Sequence, residues 1–246
     1  MPALHALLHI FLAAYRHFDY FGRMKPPQRQ PSLTPSFLPS SRAIGRVITG
    51  VESPEPHLGW YSRGYQPHWD HPGTLQSLNF RLADALPAMV VNRWKSELAG
   101  KAEDEASAIL HERVEKYLDG GCGECWLRVP TIAQLVERAL RHFDGQRYRL
   151  LAWCIMPNHV HALIEAGEGF PLPNILHSWK SFTSKEADKI LQRHGEFWER
   201  DYFDRYIRSA EHYVYAVAYI EENPVKAGLA RVKTDYPWSS ARFRPA

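Results

Sequence analysis

Cysteine is scarce in this chain: three residues in 246, at Cys122, Cys125 and Cys154. So small and odd a number excludes a disulfide framework, and Cys122-Gly-Glu-Cys125 has no second pair with which to complete a zinc site. Reduced thiols in a cytoplasmic protein are the expectation. Long apolar runs are lacking too. The stretch from Ala3 to Ala14 is too short to cross a bilayer, and no Lys or Arg precedes Arg16, so it lacks the basic start of a secretory signal. It reads as an accessory helix or as an extension upstream of a start at Met24. Net charge is small, +3 overall. Residues 1 to 69 hold +4 of it and the remainder carries −1, so any basic surface on the core has to come from local clustering.

Hydrophobic content of 45% and charged content of 23% are those of an ordinary globular protein with room for one substantial core. Residues 25 to 57 are rich in Pro and Ser without an apolar period, so residues 1 to 58 read as an N-terminal extension and disordered linker before a single domain, 59 to 246. Trp60 to Tyr65 mixes aromatics with Arg63, as an arm laid on the core or on nucleic acid would. Leu78, Phe80 and Leu82 alternate with polar residues and predict a strand. A helical pattern follows from Pro87 to Leu118, broken near Gly100. Thr131 and Gln134 predict a capping box for a helix ending near Phe143. Strands are predicted at Arg147 to Met156 and Val160 to Glu165, joined by a turn at Pro157-Asn158. A helix from Asn174 to Arg193 and a short strand at Arg205 to Arg208 come next. A last helix is capped by Ser209 and stopped at Asn223-Pro224, since the residue before proline avoids helical geometry. The order β-α-β-β-α-β with a closing helix is that of a ferredoxin-like (RRM-like) α+β sandwich, an antiparallel sheet on which a nucleic-acid strand can lie.

The chemistry gathers in two places. His159 and His161 are one residue apart in a strand, so both imidazoles project from one face. Tyr219 and Asn223 are four apart on a helix and share a face there. Together they can build a site with a divalent cation beside a phenolic nucleophile, which suits cleavage of a phosphodiester through a tyrosine–phosphate bond. Tyr213, Val217 and Ile220 fall on an apolar stripe and read as core, whereas Tyr215 lies in the Tyr219 row and is the alternative nucleophile. Glu222 is the alternative to Asn223 as third ligand. Lys180 and Lys185 on one helix, and Arg205 and Arg208 near the site, are candidate contacts to a DNA backbone.

Three segments closely resemble the REP-associated tyrosine transposases of the single-tyrosine HUH superfamily. They are Met156-Pro157-Asn158-His159-Val160-His161, then Phe197 to Asp204, then Tyr219-Ile220-Glu221-Glu222-Asn223-Pro224-Val225-Lys226-Ala227-Gly228-Leu229. The resemblance extends over roughly Gly59 to Phe243, with Arg63-Gly64-Tyr65, Phe80 to Asp84 and Pro237-Trp238-Ser239-Ser240 in order. It implies a ferredoxin-like domain that nicks and rejoins single-stranded DNA at short imperfect palindromes folded as hairpins. It implies His159 and His161 as metal ligands, Asn223 as a polar third ligand and Tyr219 as the nucleophile. Tyr219 would leave a 5′-phosphotyrosine and a free 3′-OH, so that a 3′-OH can rejoin the strand without ATP. Mg²⁺ or Mn²⁺ is the expected cofactor, with zinc compatible with the ligand set. The expected partner is hairpin DNA, with no membrane, in a nucleoid-associated monomer or homodimer. Two other classes remain open: a binding module of the same fold that has lost cleavage, and a small metallohydrolase that would not need Tyr219.

Overall fold

The computed structural model describes residues 55–62 and 67–244; the expectations for residues 1 to 54, and for Arg63-Gly64-Tyr65, lie outside the described residues. These fall into two compact units. One contains Leu86–Tyr117, with helix α1 (Ala88–Glu97) and most of α2 (Glu103–Asp119). Within it Arg113 bridges to Glu97 at 2.6 Å, and Trp94 meets Tyr117 edge to face.

The other unit contains 55–85 and 118–244. A two-stranded ribbon, β1 (Gly59–Ser62) and β2 (Pro67–Asp70), precedes a four-stranded antiparallel sheet. The sheet is built from β3 (Leu75–Arg81), β4 (Tyr148–Ile155), β5 (His159–Ala166) and β6 (Phe203–Tyr206). Its spatial order is β4-β5-β3-β6. With α3 (Pro130–His142) and α4 (Leu172–Leu191) as the two crossovers, this is the ferredoxin-like arrangement that the element order predicts. Among the described residues no helix is long and apolar enough to cross a membrane.

The two faces of the sheet do different jobs. Phe80 pairs with Val160, and Leu78 with Ala162, on the face that receives α4. There Trp179 stacks on Phe80 and donates its indole N–H to the Tyr148 hydroxyl at 2.8 Å. The other face receives the closing helix α5 (Ala210–Lys226) through Ala152, Cys154, Met156, Leu163, Ala216 and Ile220. A β-bulge between Leu150 and Ala152 lets β4 serve both. Leu150 pairs with Ile164 on the α4 side, while Ala152 pairs with Leu163 on the α5 side, a change of face that an unbroken period of two forbids.

Several boundaries differ from expectation for identifiable reasons. The Thr131–Gln134 capping box is not formed: the N-cap is Val129 without a side-chain bond, and Pro130 opens α3, where its missing N–H costs nothing. The last helix does begin at Ser209, whose hydroxyl accepts from the His212 N–H at 3.1 Å. It does not stop at Asn223-Pro224 but runs to Lys226. Its end is set by Gly228 at φ +70°, with Leu229 N–H bonded to Pro224 O at 2.8 Å and Gly228 N–H to Val225 O at 3.0 Å, a Schellman motif. The short strand lies at Phe203–Tyr206, two residues earlier than expected.

The ribbon is fixed by a buried charge cluster. His68, fully buried, faces Asp204 and, at 3.3 Å, Asp201. Burial alone would lower its pKa, but hydrogen bonding and attraction from the two carboxylates raise it to about 9. Asp201 is held below the ordinary carboxylate value against its own burial, while burial keeps Asp204 above it even with His68 alongside. A pKa raised on folding gives stability that is whole below 6.5 and lost as pH rises through about 9. The chain is therefore expected to lose stability to urea between those limits, and His68→Gln to be weaker at neutral pH with a flatter profile; identical profiles would refute the protonated clamp.

Candidate active site

Every side chain of the site is aimed by a strand register or a helical turn. His159 and His161 lie on the α5 face of β5, opposite Arg81 and Asn79 of β3. Both are buried, at 0% and 3% exposure, and their Nε2 atoms are 2.9 Å apart. The preceding turn orients the first ring. The Asn158 side-chain NH₂ donates to Cys122 O at 2.8 Å, so its Oδ1 faces His159 Nδ1 at 2.7 Å. That oxygen can only accept, so Nδ1 carries the proton and the lone pair of His159 sits on Nε2. Burial, aided by the charge of Arg81, lowers the His159 pKa to about 3, and the ring is neutral at ordinary pH.

Two imidazole nitrogens sharing one cation at about 2.1 Å with a right angle between them stand about 3.0 Å apart. The pair has that spacing. Among the described residues no group of three or more His, Cys, Asp or Glu side chains gathers as a metal centre, which leaves room for an amide, water or substrate as a further donor. Asn223 answers this description. It is fully buried on α5, and neither its Oδ1 nor its Nδ2 has a hydrogen-bond partner. Unsatisfied polar atoms at that depth cost free energy and call for an explanation. Glu222 is only half-buried and lies 3.9 Å from Lys233 Nζ.

Tyr219, half-buried one turn before Asn223, meets His161 edge to face with ring centroids 5.8 Å apart. Tyr215 stacks behind it at 6.4 Å, and Lys226 Nζ lies 4.2 Å from the centre of the Tyr219 ring. A single chain thus supplies both the histidine pair and the tyrosine. Burial raises the Tyr215 pKa, against the charge of Arg205.

The candidate DNA contacts divide. Arg205 lies on the histidine face, in register with Ser77 and Leu163. Arg208 is exposed beside the Tyr206 ring. Lys180 and Lys185 are on α4, across the sheet from the histidines. Lys185 is exposed, whereas Lys180 turns inward and donates to the carbonyls of Glu199, Arg200 and Asp201. Two neighbours were not singled out from sequence. Asp119, the last residue of α2, brings a carboxylate oxygen to 3.8 Å from His159 Nε2, and Arg81 stands opposite His159. Only a strand register could have found Arg81; nothing in the local pattern around Asp119 marks it.

Residues 130–223 match the model of the family described as transposase IS200 like. Over that segment the chain is similar to the IS200-like transposases. It is also similar to two proteins named as REP-associated tyrosine transposases. One, from Haemophilus influenzae, is 25% identical over 142 residues, covering 54% of this chain and 75% of the relative. The other, from Escherichia coli K12, is 25% identical over 111 residues, covering 45% and 65%. A solved structure of a REP-associated tyrosine transposase bound to a REP hairpin aligns with a TM-score of 0.46 at 16% identity, covering 74% of this chain and 84% of that one. The resemblance to REP-associated tyrosine transposases is thus borne out.

Because the Asn223 amide is unsatisfied in the protein alone, Asn223→Leu is expected to raise stability in chelator by about 1–2 kcal/mol. Urea unfolding measures this; a loss of similar size would mean that the amide is already satisfied.

Proposed function

We propose that the chain cleaves and rejoins single-stranded hairpin DNA through a covalent bond to Tyr219, with Mg²⁺ or Mn²⁺ held by His159, His161 and the Asn223 side-chain oxygen. The observation that carries this reading is the contact of Tyr219 with His161, whose Nε2 stands 2.9 Å from that of His159, within the segment that matches the transposase family. The motif resemblance and the names of the relatives support repetitive palindromic DNA as the substrate.

A bound divalent cation would supply charge withdrawal from the scissile phosphate, which makes phosphorus more open to attack. The protein's residues do the rest. Tyr219 Oη forms a bond to phosphorus as the P–O3′ bond breaks. The phenolic proton is given up to solvent, and the departing oxygen takes up a proton to become a 3′-OH. A phenol with a pKa near 10 is a weak nucleophile at neutral pH, and the positive charge of Lys226 over the ring favours its anionic form. The neutral, oriented His159 offers its Nε2 lone pair without first losing a proton. The buried, packed underside of α5 holds Tyr219 in place, so little orientational freedom is left to be lost at the moment of attack.

The test is a denaturing gel of labelled hairpin oligonucleotides incubated with the protein and Mn²⁺. Wild type is expected to give a protein–DNA adduct and Tyr219→Phe none. His161→Ala should lose the adduct while still binding the hairpin. Equal cleavage by wild type and Tyr219→Phe would reject the nucleophile.

A further inference from the structure

We propose that Arg81 is a phosphate-binding residue of this site, gripping the scissile phosphodiester beside the His159–His161 pair. The inference rests on the function proposed above and adds a substrate contact to it.

Arg81 and His159 are directly opposed in the antiparallel pairing of β3 and β5, so their side chains leave the sheet on one face. Cross-strand partners of this kind have Cβ atoms about 5 Å apart. A fixed cation beside two cation-binding imidazoles favours an anion placed between them. A phosphodiester is such an anion, and the planar guanidinium fork matches two phosphate oxygens at once.

The competing explanation is that Arg81 serves as a strut to Glu199. That pair is weak: one nitrogen at 3.5 Å, with side chains 28% and 32% exposed. The strut is also redundant. Backbone bonds already tie the 197–199 segment to the end of β3, from Ala83 N–H to Phe197 O at 3.0 Å and from Glu199 N–H to Arg81 O at 2.9 Å. Leu82 and Trp198 bridge between them. Holding that segment does not require a guanidinium facing the histidines.

The full chain is compared with Arg81→Gln, Arg81→Lys and Glu199→Gln, after thermal melts establish that each folds. Arg81→Gln should lower hairpin cleavage about a hundredfold, the loss expected for one charged donor aimed at the reacting phosphate. The slope of log affinity against log salt for hairpin binding in chelator should become shallower by about 0.7, one phosphate contact. Mn²⁺ binding to the DNA-free protein, followed by electron paramagnetic resonance, should hold or tighten, because a repelling charge has gone. Arg81→Lys should restore the salt slope but not the full rate, since it keeps the charge and loses the fork. Glu199→Gln should stay within about twofold of wild type throughout. Parallel losses in Arg81→Gln and Glu199→Gln would overturn the proposal in favour of the strut, as would an unchanged salt slope in Arg81→Gln. Were wild type to form no adduct, the Tyr219 reading would fail by itself, and the salt slope and Mn²⁺ binding would still decide Arg81. If Arg81→Gln does not fold, Arg81→Lys carries the comparison of rate against slope.

Discussion

The seam between α5 and the sheet is the constraint from which the site follows. Ala152, Cys154 and Ala216 are small, and they let the helix approach closely while Met156, Leu163 and Ile220 fill the space around them. That approach puts Tyr219 against His161. The histidine pair and the tyrosine are more than fifty residues apart in sequence, and burial of this shared apolar surface holds them together. The bulge at Leu151 belongs to the same arrangement, since it turns Ala152 and Cys154 toward the helix while Tyr148 and Leu150 stay with the opposite core. A side chain larger than alanine at 152 or 216 would push α5 outward, and the tyrosine with it.

Two buried histidines in one unit have opposite charge states, and their neighbours decide which. His68 and His159 are equally inaccessible. His68 is set between two carboxylates and keeps its proton to about pH 9. His159 has an amide oxygen on one nitrogen and a guanidinium nearby, so desolvation prevails. One is a cation under the ribbon, the other a neutral ring with its lone pair on Nε2.

Much of this was legible in the sequence, and what was not has physical reasons. The strands around Phe80, Trp153 and His161 announced themselves by alternation, and both histidines by their spacing. The pairing of Tyr219 with Asn223 came from helical periodicity. The ribbon at Gly59–Asp70 escaped notice because its strands are four residues long and bury a histidine and an aspartate where apolar residues would mark a strand. Pro224 misled because a proline before a helix end is a common stop, and Gly228, four residues on, outweighs it. The donor set around the histidines is the hardest part to foresee. Asn158 lies within the motif itself, but Arg81 and Asp119 enter through strand register and a helix end, and neither is a local property of the segments that hold the motif.

The turn at Met156–Asn158 has a consequence for how the protein can fail. It is short and closed, with Met156 N–H bonded to His159 O at 2.9 Å. A single residue added or lost there would shift β5 by one, sending His159 and His161 into the core under α4 and bringing Val160 and Ala162 out beneath Tyr219. A chain so shifted would bury two imidazoles among Phe80 and Trp179 and be destabilised by it. The apolar core therefore guards the register of the histidine pair, since the shifted chain is the less stable one.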